Sequence, residues 1–147
     1  MKKVHIAFEM MIDAPVERVW AVLSDFQRYS EWSPTVKRFS AIPKVGQKVS
    51  IRLEQPGETG ITMRPKILVL DPQRELRWRG RLFVRGLFDG EHYFCLEPVG
   101  TDKTRFVQGE YFSGLLVPFL ERMIQGNTSK GFELFNEALK QRVEDYK

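Results

Sequence analysis

The chain has a single cysteine, Cys95, and only two histidines, His5 and His92. One thiol excludes an internal disulfide and any thiolate metal cluster, and two histidines without cysteine partners do not make a zinc ligand set. No Walker loop, dinucleotide glycine fingerprint or Ser–His–Asp set is found along the 147 residues. No apolar run approaches the roughly 18 residues of a membrane span. The opening MKKVHIAFEMMIDAP has no continuous apolar stretch, because Glu9 interrupts an alternating pattern that reads as a strand. These absences predict no metal, no cofactor and no membrane insertion. A spare thiol suits a reducing compartment, so the expected location is cytoplasmic.

What is present is the composition of one globular domain spanning residues 1–147, with 42% hydrophobic and 29% charged residues. The net charge of +4 is spread along the chain. Arg77, Arg79 and Arg81 alternate with apolar residues and should line the outer face of one strand. No nucleic-acid motif accompanies them, so they read as a solvated face and no nucleic-acid partner is expected.

Val4, Ile6, Phe8, Met10 and Ile12 alternate as a first strand. In DAPVERVWAVL a helix should begin at Asp13 or Ala14, with Pro15 in its first turn and Glu17 closing a capping box or favouring the dipole. Val16, Val19, Trp20 and Leu23 make its buried stripe. A second short helix should run from Ser24 to Tyr29 and end before Pro34. Strands follow at Val36–Ile42, Lys48–Glu54 and Ile61–Leu70, the last with Met63, Pro65, Ile67 and Val69 on one face. Pro65 predicts an edge or bulge there. From Leu115 the period turns helical. Leu116, Phe119, Leu120 and Met123 form one stripe, Phe132, Phe135, Leu139 and Val143 continue it, and Gly126 predicts a bend between them. The expected fold is α+β: a curved antiparallel sheet of about seven strands wrapped on a long C-terminal helix, with two short helices after the first strand.

Three apolar-alternating runs between Leu76 and Phe112 carry the functional signal. Alternate strand side chains share a face. One face therefore collects Leu76, Trp78, Gly80 and Leu82, then Phe88, Gly90, His92, Phe94 and Leu96, then Phe106, Gln108, Glu110 and Phe112. Polar His92, Gln108 and Glu110 among aromatics is the combination a ligand cavity needs. Turns centred near Arg85 and Thr101 would set Trp78 opposite His92, Gly80 opposite Gly90, His92 opposite Glu110 and Phe94 opposite Gln108. The paired glycines would leave a hollow beside Phe112. His92 and Glu110 are the candidate catalytic pair, as general acid–base or as an anchor for a ligand hydroxyl or carbonyl. Alternatively they form a structural hydrogen bond between strands. The candidate ligand contacts are Trp78, His92, Phe94, Phe106, Gln108, Glu110 and Phe112, with Met123 and Asn127 from the long helix. Asn127 is either a ligand contact or a solvated residue at the Gly126 joint. Tyr29 and Trp32 either border the cavity entrance or pack the second helix. The stripe in GLLVPFLERMI is explained more simply by a core-facing helix than by a membrane surface.

The order of elements resembles the START-like, or SRPBCC, superfamily, which includes birch-pollen-allergen-like proteins and polyketide cyclases. The resemblance rests on DAPVERVWAVLSDFQRYSEWSP, on LRWRG and GLFDGEHYF, and on TRFVQGEYFSGLL followed by GFELFNEALKQRVE. It implies a helix-grip fold with a cavity between sheet and helix. Members transfer lipids, bind plant hormones, cyclise polyketides or act as chaperone cofactors, so the resemblance implies a cavity without naming its ligand. The first reading is a non-enzymatic binder or carrier of a small hydrophobic molecule (lipid, sterol-like or aromatic and polyketide-like), monomeric or homodimeric. The second is a cyclase or aromatase using His92 as acid–base in the same cavity. The third is a protein-interaction module using the mildly basic outer face.

Overall fold

The computed structural model describes residues 3–82 and 84–145. Strand β1 (Lys3–Ile12) leads into helix α1 (Val16–Leu23) and a 3-10 turn at Phe26–Glu31. Seven strands follow: β2 (Val36–Phe39), β3 (Ile51–Leu53), β4 (Ile61–Met63), β5 (Lys66–Asp71), β6 (Glu75–Leu82), β7 (Phe88–Val99) and β8 (Lys103–Ser113). The chain closes with α2 (Val117–Met123), a π-helical turn at Ile124–Thr128 and α3 (Ser129–Asp145). Five strands pair antiparallel in the order β1-β8-β7-β6-β5, and β2-β3-β4 form a smaller antiparallel sheet. The arrangement is a helix-grip α+β fold. Among the described residues no helix is long and apolar enough to cross a membrane.

The eight strands exceed the expected seven because the Ile61–Leu70 run is two strands. Pro65 has no N–H for the ladder and separates β4 from β5. A bulge between Ile67 and Val69 then shifts the β5 register against β6. The start of α1 also differs. Pro15 is its N-cap and no side chain caps it. Asp13 belongs to the strand exit, where its N–H donates to the Glu144 carboxylate of α3 at 2.8 Å. Glu17 sits in the first turn, where a negative charge is favoured.

The core lies between the large sheet and α3. Phe135, Leu139 and Val143 are fully buried and meet Val19, Leu23, Tyr29, Phe94 and Phe106. The stripe expected on α2 is out of phase. Stepping back by about four from Phe132 leads through Thr128 and Ile124 toward Val117, and those are the buried positions. Phe119 is left 82% exposed and Met123 lies at the surface. Gly126 sits inside the π-helical turn, whose wider closure is the irregularity that its poor helix propensity predicts.

Candidate ligand cavity

The cross-strand register matches the symmetry of the turns. Trp78 pairs with His92 and Gly80 with Gly90 between β6 and β7. His92 pairs with Glu110, and Phe94 with Gln108, between β7 and β8. The His92 ring lies 5.0 Å from Trp78 at an angle of 25° and 4.9 Å from Phe132 of α3. The imidazole is thereby held between an aromatic on the sheet and one on the helix, and it is buried.

Both ring nitrogens are engaged. Nδ1 lies 3.1 Å from Glu110 Oε1, and Nε2 lies 2.9 Å from Gln108 Oε1. The direction of this chain is fixed from its far end. Asn136 Nδ2 donates to the carbonyl of Phe8 at 3.3 Å, so Asn136 Oδ1 is free to accept from Gln108 Nε2 at 2.8 Å. Gln108 Nε2 also reaches the carbonyl of Phe132 at 3.3 Å. Two backbone carbonyls, which can only accept, thus orient both amides. Gln108 must present its oxygen to His92, and Nε2 must carry a proton. One further proton then lies on the line between Nδ1 and Glu110 Oε1. Imidazolium with carboxylate and neutral imidazole with carboxylic acid are its two placements.

Two glycines make room for what projects from this face. A side chain at Gly90 would collide with the Glu110 carboxylate, and one at Gly80 with the methyl of Met63. The hollow expected beside the paired glycines is therefore occupied by Glu110 and Met63. The open space lies beyond them, in two connected chambers. The outer one has a volume of about 290 Å³ and is walled by Ile61, Leu82, Phe88, Phe112, Met123 and Thr128. The inner one, about 40 Å³, reaches Trp78, His92, Gln108 and Phe132. Leu53, Gln55, Met63, Gly80 and Glu110 border both. The Gln55 side chain packs over Gly131, and its buried Oε1 has no hydrogen-bond partner among the described residues.

Of the residues expected at the site, Trp78, His92, Gln108, Glu110, Phe112 and Met123 line the chambers. Phe94 and Phe106 do not. They share the inward face, but at the end of the sheet covered by α1 and α3, where Phe94 lies 5.3 Å from Phe135 and both are fully buried. Asn127 is exposed on the π-helical turn and lines neither chamber, which leaves it solvated. Tyr29 and Trp32 pack the 3-10 turn. Tyr29 donates to the Leu23 carbonyl, and Trp32 packs at a tilt against the rings of Tyr29 and Phe135. Leu53, Gln55 and Thr128 were not expected. Gln55 sits in QPGETG, a run that reads as a turn, and its side chain packs over Gly131 of α3.

The reverse face of the sheet is differently built. There His5 stacks on Tyr111 at 4.0 Å and bonds the Tyr93 hydroxyl at 2.7 Å. Arg77 binds Glu75 and Glu91 and lies over the Tyr93 ring. Burial, and then the carboxylate of Glu75, push the Cys95 thiol above its ordinary range. Little thiolate should form near neutral pH. Alkylation of Cys95 by iodoacetamide at pH 8 should therefore run slower than that of a free cysteine, and Glu75→Gln should accelerate it. Equal rates would show that neither burial nor Glu75 restrains the thiol.

A long helix gripped by an antiparallel sheet, with a two-chamber cavity ending on buried polar side chains, defines a helix-grip domain of the START-like kind. The chain belongs to the family described as polyketide cyclase / dehydrase and lipid transport, whose pattern matches residues 3–144. No sequence match was found among curated proteins. Solved structures share the fold. A START superfamily protein from Mycobacterium smegmatis superposes with a TM-score of 0.78 at 18% identity, covering 97% of this chain and 99% of that one. The Zhui aromatase/cyclase from a Streptomyces species gives 0.76 at 17% identity, covering 97% and 94%. Norcoclaurine synthase from Thalictrum flavum, in complex with dopamine and hydroxybenzaldehyde, gives 0.74 at 16% identity, covering 99% and 89%.

Proposed function

We propose that this protein binds a small, ring-bearing apolar molecule in the two-chamber cavity, with the polar end of the ligand at Glu110. The observation that carries the reading is an apolar chamber of about 290 Å³ bordered by Glu110, whose carboxylate is paired with the buried His92. That volume is at the lower edge of the roughly 300–1,000 Å³ of small-molecule pockets. It suits one or two rings better than a sterol. Phe88, Phe112 and Met123 supply apolar contact, and Glu110, held by His92, supplies orientation. The aromatic ligands of norcoclaurine synthase and the name of the aromatase/cyclase point the same way.

A second reading is acid–base chemistry of the cyclase or dehydratase type in the same cavity. The proton shared between His92 and Glu110 favours it, since such a pair can give or take a proton without a large rearrangement. Binding is the simpler function, because among the described residues no lysine, arginine, cysteine or serine lines the chambers beside the pair.

The test is thermal. At a hundredfold excess over its dissociation constant, a ligand that binds only the native state stabilises it by about 2.7 kcal/mol, or roughly 5–10 °C in Tm. A screen of one- and two-ring aromatic compounds should find such rises. Gly80→Leu should abolish them in a folded protein, because the displaced Met63 methyl is a flexible end and the new side chain enters both chambers. Undiminished binding in that variant would place the ligand elsewhere.

A further inference from the structure

The one charged group that both chambers share is a carboxylate, Glu110, and the other polar side chains of the lining are neutral amides and hydroxyls apart from His92 and Glu58. The amide chain from Phe8 through Asn136 and Gln108 fixes a proton on His92 Nε2, and the second proton lies between Nδ1 and Glu110 Oε1. Wherever that second proton resides, Glu110 Oε2 carries none, and it is the oxygen turned toward Gly90. Both N–H groups of His92 are spent on protein acceptors, and the Gln108 amide is spent on Asn136 and Phe132. Gln55 Oε1 is buried against Gly131 of α3 and has no partner among the described residues. Among the described residues neither chamber is lined by lysine or arginine, and the outer one adds the carboxylate of Glu58.

From this polarity we infer that the cavity selects a hydrogen-bond donor: a hydroxyl- or amine-bearing ring compound, and not a fatty acid or other carboxylate. The inference rests on the ligand-cavity reading and narrows it. A ligand hydroxyl would donate to Glu110 Oε2 and satisfy an acceptor that is otherwise buried beside apolar walls. A carboxylate would lose its hydration and face the Glu110 carboxylate with no lysine or arginine to offset the repulsion. An ether or ketone of the same shape would bury its oxygen without a partner and leave Glu110 unsatisfied. Recognition of a donor by a buried acceptor discriminates more sharply than shape does, because the analogue lacking the donor leaves a buried polar group unpaired.

Three matched probes decide the matter: 2-naphthol, 2-methoxynaphthalene and 2-naphthoate, titrated by calorimetry at neutral pH. The naphthol should bind at least about tenfold tighter than the methoxy compound, as a hydrogen bond to a carboxylate allows. The naphthoate should bind more weakly than either. Glu110→Gln keeps a bond to Nδ1 and a neutral carbonyl, so the naphthol preference should shrink several-fold. Glu110→Leu removes the acceptor, and the preference should fall below about threefold. If the leucine variant does not fold, the glutamine variant alone carries the comparison. Equal affinities for naphthol and methoxynaphthalene, tightest binding of naphthoate, or an unchanged preference in Glu110→Gln would each overturn the inference while leaving the cavity reading intact. Failure of all three probes to bind the wild-type protein would overturn the cavity reading, and this inference with it.

Discussion

Removal of residues 130–147 should leave a chain with no cooperative unfolding transition. Phe132, Phe135, Leu139 and Val143 lie in that segment, and none is more than 4% exposed. Phe135 alone touches the rings of Tyr29, Trp32 and Phe94, so it joins the 3-10 turn to the sheet. Truncating one such phenylalanine to alanine costs about 3–5 kcal/mol. Losing four buried apolar side chains together exceeds the roughly 5–15 kcal/mol that holds a domain of this size. The deletion also takes Asn136, which leaves the Gln108 amide buried without its acceptor. No other described helix can cover the gap, since α1 has 8 residues and already packs on the same core. Thermal unfolding followed by circular dichroism should show a broad, sloping change or aggregation. A soluble truncation with a sharp transition would contradict the arrangement in which the helix completes the core.

The sheet was legible because its signals are local. Tight turns flank long runs of strict alternation, so the turn centres set the register and parity sets the face. That is why Trp78, His92 and Glu110 fall in one row across three strands. Other features depend on packing that no local pattern reports. The phase of α2 is set by the π-helical turn, so Val117 rather than Phe119 faces inward. Gln55 borders the cavity through its side chain's contact with Gly131, more than seventy residues away in sequence. Phe94 and Phe106 satisfy the same parity as His92 and Gln108, yet parity cannot say where along a strand the core ends and the cavity begins. Asn136 lies one residue beyond Phe135 in an apolar stripe, and its role follows only from what stands opposite it, the Gln108 amide and the Phe8 carbonyl.

The amide chain behind His92 is the feature whose disruption should have the sharpest local consequence. Gln108→Leu nearly conserves volume at a position 1% exposed. It orphans three groups at once: the Nε2–H of His92, the Oδ1 of Asn136 and one interaction of the Phe132 carbonyl. Each buried orphan costs on the order of 1–3 kcal/mol, so the variant should lose about 3 kcal/mol or more of stability. Adding Asn136→Leu removes one orphan and the amide that created it. The double variant should therefore be less destabilised than the sum of the single ones, with a coupling of about 1 kcal/mol or more in a denaturant-unfolding cycle. The His92 proton should move as well. In the wild-type chain Gln108 Oε1 holds a proton on Nε2. Without that acceptor, the better arrangement for a neutral ring is Nδ1–H donating to the Glu110 carboxylate, with Nε2 bare among Trp78 and Phe132. Nitrogen-15 NMR of the imidazole should thus find Nε2 protonated in the wild-type protein, and Nε2 bare with the proton on Nδ1 in Gln108→Leu. Retention of the Nε2 proton in the variant would mean that the amide chain does not set the tautomer. In that case the acceptor character of the cavity wall would have to come from Glu110 alone.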